Sequence, residues 1–203
     1  MSAKIILSLI CLSTGWASFA WMHDSGDGIS KNDSNIDDVK PELPPDNLPE
    51  KIAFDQIPVG FESVPEAPAD NPMTEGKIHL GRRLFFDPIL SQDGTVSCAS
   101  CHQPEHGFAS PHDFPIGLKG QKARRNAPSL LNRGYGKSFS WDGRDVTLEE
   151  QMIGPLTNEV EMGADLDAVI SALRADESYV KQFREVFADE NGEAEVENLV
   201  SKQ

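Results

Sequence analysis

Cys98-Ala99-Ser100-Cys101-His102 reads C-A-S-C-H. Two thiols flank two small residues, and a histidine follows at once. This is the spacing of covalent c-type haem attachment. Cys98 and Cys101 can each add to one vinyl group of the same porphyrin, and His102 then lies under the iron as proximal ligand. The tether decides which face of the haem the protein holds and leaves the other face to residues elsewhere. A thioredoxin-like pair would want a strand before the first cysteine. Here the lead-in is the polar turn Ser91-Gln92-Asp93-Gly94-Thr95. A structural zinc site would want a second ligand pair at similar spacing, and the third cysteine, Cys11, stands alone near the start.

Outward from this motif, 203 residues allow one domain, or one domain and a tail. A net charge of -15 sets the chain against nucleic acid, whose phosphates would repel it. The same charge suits a soluble protein meeting a basic or neutral partner. Residues 1–20 have the form of an export signal: one positive charge by Lys4, an apolar run over 5–17, then Ser18-Phe19-Ala20 with small residues at the cleavage positions. Cleavage after Ala20 and a periplasmic location are expected. An uncleaved membrane anchor is the alternative, although the run is short for a spanning helix. Residues 21–50 read as an acidic flexible linker, with no hydrophobic period from which to build a core. Residues 51–70, with Phe54, Ile57, Val59, Phe61 and Val64 between prolines, read as an extended arm laid on the domain surface.

The folded unit is expected over residues 71–203. Asn71 is placed to cap a helix with Pro72 at its first position. That helix should run towards Phe86 and stop before Pro88, with Leu80, Gly81, Leu84 and Phe85 on one face. The haem motif should open a short helix. Residues 103–140 are rich in proline and glycine, and a long irregular segment in a small domain usually wraps something, here the haem. Thr147 and Glu150 form a capping box opening a helix that ends near Pro155. Leu166, Val169, Ile170 and Leu173 mark a further amphipathic helix, and Tyr179, Phe183, Val186 and Phe187 another starting near Ser178. No run alternates as a strand would. The fold class is all-α, a helical haem domain with long irregular loops.

Function turns on the sixth position of the iron, because a strong protein ligand there makes an electron carrier and an open position makes a peroxidase or ligand binder. Met152 and Met162 lie where an electron-transfer cytochrome keeps its axial methionine, and both also fit as core residues. His79 and His112 are the histidine candidates, and both also fit the surface. Gln151, Pro155 and Glu161 compete for the same space. A carboxylate at an open iron face can take a proton from one peroxide oxygen and deliver it to the other. On spacing alone, Glu161 fits a surface glutamate as well. Lys122, Arg124 and Arg125 suit either haem propionates or a solvated basic turn.

Five stretches occur together and in order: L-G-R-R-L-F-F-D-P (80–88), V-S-C-A-S-C-H (96–102), R-N-A-P-S-L-L-N (125–132), W-D-G-R (141–144), and L-E-E-Q-M-I-G-P-L with E-V-E-M-G (148–163). In this the chain resembles the N-terminal haem domain of the bacterial di-haem cytochrome c peroxidase superfamily, with its MauG-like members, over roughly residues 70–190. The resemblance implies a cytochrome c-like fold and one covalently bound haem c with His102 proximal. It implies Gln151, Pro155 and Glu161 as distal residues, Trp141 as an electron route between haems, and Asn126 as part of a Ca2+ site. It implies hydrogen peroxide as oxidant and a small cytochrome c or cupredoxin as electron donor, or a MauG-like oxidation of a protein.

Two departures follow. Members that rest inactive carry a distal histidine after an Ile-Gly pair, whereas Leu118 follows Ile116-Gly117 here. The resting site is therefore expected to be open. The family also has a second C-x-x-C-H in a further domain, and none follows in this sequence, so a separate second haem subunit is one expectation. The alternatives are a single-haem His/Met electron carrier and an inactive truncated peroxidase.

Overall fold

Thr74, not Asn71, caps the first helix among the described residues of the computed structural model, which are 57, 59–65, 67 and 71–187. The expected leader (1–20), the linker (21–50), most of the arm and residues 188–203 lie outside the described residues. Helix α1 spans Glu75–Phe86, and the Thr74 side chain accepts from the Lys77 N–H. Asn71 is displaced from the cap because its Oδ1 takes the buried ammonium of Lys77 at 2.7 Å, with the Pro72 carbonyl at 2.8 Å. A lysine reaching back from the helix's first turn thus claims the residue that would otherwise close the helix end.

Helix α1 ends as expected before Pro88, and Asp87 turns the chain by accepting the Ile89 N–H. Helix α2 is the single turn Cys98–Cys101. Helix α3 covers Leu148–Thr157, α4 Leu166–Ala175 and α5 Glu177–Phe187. Thr147 caps α3 through the Glu150 N–H, as the capping box requires. The Glu150 carboxylate, however, reaches one residue further back, to the Val146 N–H at 3.0 Å. Pro155 does not end α3 but lies inside it. The missing proline N–H falls in the last turn, where it removes one bond rather than breaking the helix.

The described residues between α2 and α3 hold short 3₁₀ turns and isolated bridges, Gln103 with Ala109, Ile116 with Lys122 and Phe139 with Asp145, and no strand. Leu80, Leu84 and Phe85 of α1 pack in one core with Met152 and Leu156 of α3, Val169 and Leu173 of α4, and Tyr179 and Phe183 of α5. The periodic faces expected from the sequence are the faces that pack. Two polar ties hold α5 on α1. The buried Tyr179 hydroxyl donates to Asp87 at 2.8 Å, and the Arg83 guanidinium lies 3.6 Å from the Tyr179 ring centroid. Phe61 stacks on Tyr135 with centroids 3.8 Å apart.

Candidate functional site

Ser97 precedes the haem motif and is buried. Its N–H is taken by the Ser100 hydroxyl at 3.0 Å, which closes the one-turn helix on itself and presents Cys98 and Cys101 from it. Both cysteines are half-buried free thiols. Burial, then the neighbouring Cys101, pushes the Cys98 thiol up to about 12. Burial, then the Glu161 carboxylate, pushes Cys101 up to about 11. Redox-active pairs need the opposite shift, toward a stable thiolate.

His102 supplies the clearest test of whether these residues fit a haem. Its Nδ1 lies 3.0 Å from the Phe108 carbonyl and 3.1 Å from the Pro128 carbonyl. Carbonyl oxygens only accept, so Nδ1 must carry the proton. Burial holds the ring below its ordinary 6.5, so it is neutral at pH 7. The remaining nitrogen, Nε2, keeps its lone pair, which is the state an iron ligand needs, with the other nitrogen orienting the ring. Two thiols and a correctly tautomerised imidazole within five residues fit a covalently held haem. Among the described residues no group of three or more His, Cys, Asp and Glu could hold a free metal ion, so the zinc reading has no second ligand pair.

Phe108 and Pro128 were not marked by the sequence. Phe108 reaches its position through a left-handed backbone (φ 56°), rare for a bulky residue. It is buried against Phe85, with ring centroids 6.1 Å apart. Packing against α1 stabilises the turn that aims its carbonyl at His102.

Glu161 lies in the tight return after α3. Its carboxyl is half-buried, and desolvation holds it above the ordinary carboxylate range. Its negative charge also raises the Cys101 thiol. Asn158 donates to it at 3.4 Å. The return is fixed by Met162 N–H to the Pro155 carbonyl (3.3 Å) and Ala164 N–H to the Leu156 carbonyl (2.8 Å). Gln151 and Pro155 are four apart on α3, hence on one face, and both are half-buried. Glu161 is thus tied by backbone to the helix that carries the other two. The turn at Ile116-Gly117-Leu118 meets the same place. The Cys101 Sγ lies 4.0 Å from the Ile116 carbonyl, and the Leu118 N–H bonds both the Val160 and Glu161 carbonyls at 3.1 Å.

Met152 and Met162 are buried in the core cluster. His79, His106 and His112 are exposed. Arg125 pairs with Asp142 at 3.2 Å, while Lys122 and Arg124 are exposed. Trp141 is 63% exposed and donates its Nε1–H to the Asn126 carbonyl at 2.9 Å, so it is not a packing tryptophan of the core. The Asn126 side-chain amide donates to the His112 carbonyl at 2.7 Å. Two of its groups therefore serve the loop.

Residues 75–201 match the family profile of the di-haem cytochrome c peroxidases. The methylamine utilization protein MauG of Methylorubrum extorquens is 42% identical over 129 residues, 64% of this chain and 36% of that protein. Cytochrome c551 peroxidase of Pseudomonas aeruginosa is 36% identical over 136 residues, 66% of this chain and 39% of that one. Among solved structures, a MauG-like protein associated with microbial copper homeostasis superposes with a TM-score of 0.57 at 44% identity, over 61% of this chain and 37% of its own. The chain thus spans less than half the length of these relatives. The fold is the cytochrome c-like helical one, and the chain belongs to the di-haem cytochrome c peroxidase family.

Proposed function

We propose that this chain forms the peroxidatic haem domain of a periplasmic enzyme, with His102 as proximal ligand and Glu161 as the group that moves the proton. The reading rests on one observation above the others: the turn at 116–118 joins the attachment motif to the segment that carries Glu161, with the Ile116 carbonyl 4.0 Å from the Cys101 Sγ and the Leu118 N–H bonded to the Glu161 carbonyl at 3.1 Å. When bound through Cys98 and Cys101, the haem supplies an iron that coordinates peroxide and exchanges electrons with it.

The protein's own residues do the rest. His102 is held neutral and oriented by the Phe108 and Pro128 carbonyls, which strengthens its donor nitrogen. Glu161, as carboxylate, takes the proton from one peroxide oxygen and returns it to the other, so that water can leave. Its partly desolvated place keeps its affinity for that proton high enough to hold it between the two transfers. The Gln151 amide, on the same face of α3 as Pro155, holds the peroxide or the departing water, and the proline ring closes the wall behind it. Trp141, exposed beside Asn126, is the electron route to a donor: a small cytochrome c, a cupredoxin or a second haem unit. A MauG-like oxidation of a protein substrate would use the same residues. Export rests on residues 1–20. No helix among the described residues is long and apolar enough to cross a membrane.

The test is the electron paramagnetic resonance spectrum of the haem-loaded ferric protein, followed by stopped-flow mixing with peroxide. A high-spin resting signal that peroxide consumes is expected, with the reaction about 10²–10⁴-fold slower in Glu161→Gln. A low-spin resting signal indifferent to peroxide would refute the open site and return the chain to the electron-carrier reading. Met152 and Met162 would then be the ligands to replace.

A further inference from the structure

We propose that Gly117 is a positioning residue for Glu161: the turn at 116–118 acts as a clasp that sets the distance between the haem-attachment cysteine and the acid. The proposal rests on the peroxidatic reading of Glu161 given above and adds a residue to which that reading assigns no part.

The turn is a rigid piece. Gly117 N–H bonds the Gln121 carbonyl and Ala123 N–H bonds the Pro115 carbonyl, both at 2.8 Å. Its outer end, Lys119-Gly120, is left-handed (φ 54° and 71°) and exposed. Its inner end faces two ways. The Ile116 carbonyl meets Cys101, and the Leu118 N–H is shared between the carbonyls of Val160 and Glu161. The Leu118 side chain is buried, and over it lies Gly163 (φ 57°), where a Cβ would stand 2.6 Å from Leu118 Cδ1. Glu161 is therefore gripped through its backbone, and its side chain is left to the site.

Gly117 is not in the left-handed region, its φ being -104° and its ψ -148°. It is there for space. A Cβ at this position would stand 2.1 Å from the Val160 carbonyl oxygen, 2.8 Å from Glu161 Cα and 2.9 Å from the Glu161 carbonyl oxygen. All three are backbone atoms, so no rotamer change relieves them. To bring the nearest to 3.0 Å, the two segments must part by 3.0 - 2.1 = 0.9 Å. Misplacement of a catalytic group by about 1 Å costs about 10²-fold. Gly120 is the internal control, because a Cβ there meets nothing within 4 Å and only strains the turn.

The experiment compares haem-loaded full-length chains: wild type, Gly117→Ala, Gly120→Ala, Glu161→Gln and the Gly117→Ala/Glu161→Gln double variant. Three quantities are read: haem bound per chain, the stopped-flow rate with hydrogen peroxide, and hydrogen exchange at the Leu118 amide. Gly117→Ala is expected to keep its haem, to react at least tenfold more slowly and to lose protection at Leu118. Gly120→Ala should stay within threefold of wild type. In the Glu161→Gln background, Gly117→Ala should add no further loss, because both changes act on one step. A full further loss in that background, or an unchanged rate in Gly117→Ala alone, overturns the proposal. If Glu161→Gln by itself leaves the rate unchanged, the reading of Glu161 fails instead. Should Gly117→Ala not load haem, exchange in the wild type decides: protection at Leu118 supports the clasp, and exchange as fast as at Lys119 overturns it.

Discussion

Removal of one oxygen atom, by Tyr179→Phe, should loosen α5 from the end of α1. The Tyr179 ring is wholly buried, and its hydroxyl donates to the Asp87 Oδ2 at 2.8 Å. Phenylalanine keeps the ring, its packing near Phe183 and its contact with Arg83, so the change isolates the hydrogen bond. Asp87 keeps the Ile89 N–H on its other oxygen. A hydrogen bond to a charged group contributes about 1.5–3 kcal/mol. Asp87 is half-buried, so water can partly replace the lost donor, and the lower end applies. About 1.5 kcal/mol is roughly tenfold in the unfolding constant. With a urea slope of about 1.5–3 kcal/mol/M, the midpoint should fall by roughly 0.5–1 M in haem-loaded protein. A second signature lies at alkaline pH. Burial, then the bond to Asp87, pushes the Tyr179 hydroxyl well above its ordinary 10.0. The folded state then binds a proton that the unfolded state releases, so stability should decline as pH rises from about 10. Tyr179→Phe should lack this decline. A variant with the wild-type midpoint and the same alkaline slope would refute the tie.

Four further outcomes follow. The rate with peroxide should climb with pH through a pKa above the ordinary 4.5 of a glutamate and lose that limb in Glu161→Gln, because only the carboxylate accepts the peroxide proton. By linkage, the raised Glu161 makes folded protein bind more protons, so stability should fall as pH rises from 4.5 through the raised pKa, and urea midpoints of Glu161→Gln should not show that fall. Thr147→Ala, which removes the cap of α3, should cost about 1 kcal/mol in urea unfolding. Trp141→Phe should change stability by less than about 0.5 kcal/mol, because the ring is exposed, yet slow steady-state turnover with a protein donor while sparing the single reaction with peroxide.

The parts of the fold that could be read from the chain are those in which side chains repeat. Leu80, Leu84 and Phe85, then Val169 and Leu173, then Tyr179 and Phe183, stand at helical spacing because each set must enter one core, and the core is where they lie. The motif C-A-S-C-H is legible for a related reason: its chemistry needs those side chains at that spacing. The misplacements have equally local causes. Asn71 and Thr74 are both good caps, and only the reach of Lys77 decides between them. Helix α3, expected to end near Pro155, runs two residues past it to Thr157, because a proline in a last turn removes only a single bond.

What escaped the sequence is made of backbone. The tautomer of His102 is defined because the Phe108 and Pro128 carbonyls accept from its Nδ1–H. The segment that carries Glu161 is held, through the Leu118 N–H and against a glycine without a Cβ, to the turn that meets Cys101. Nearly every residue owns an N–H and a carbonyl, so neither leaves a mark in composition or spacing. Only the glycine is a sequence-level trace, and Gly117 was visible merely as a loop residue before Leu118. The proposed acid, Glu161, can thus be found by its type, while its placement depends on chain segments that meet only in the fold. A substitution at Gly117 should therefore disturb the chemistry as strongly as many changes in residues that touch the peroxide, although Gly117 carries no group that reacts.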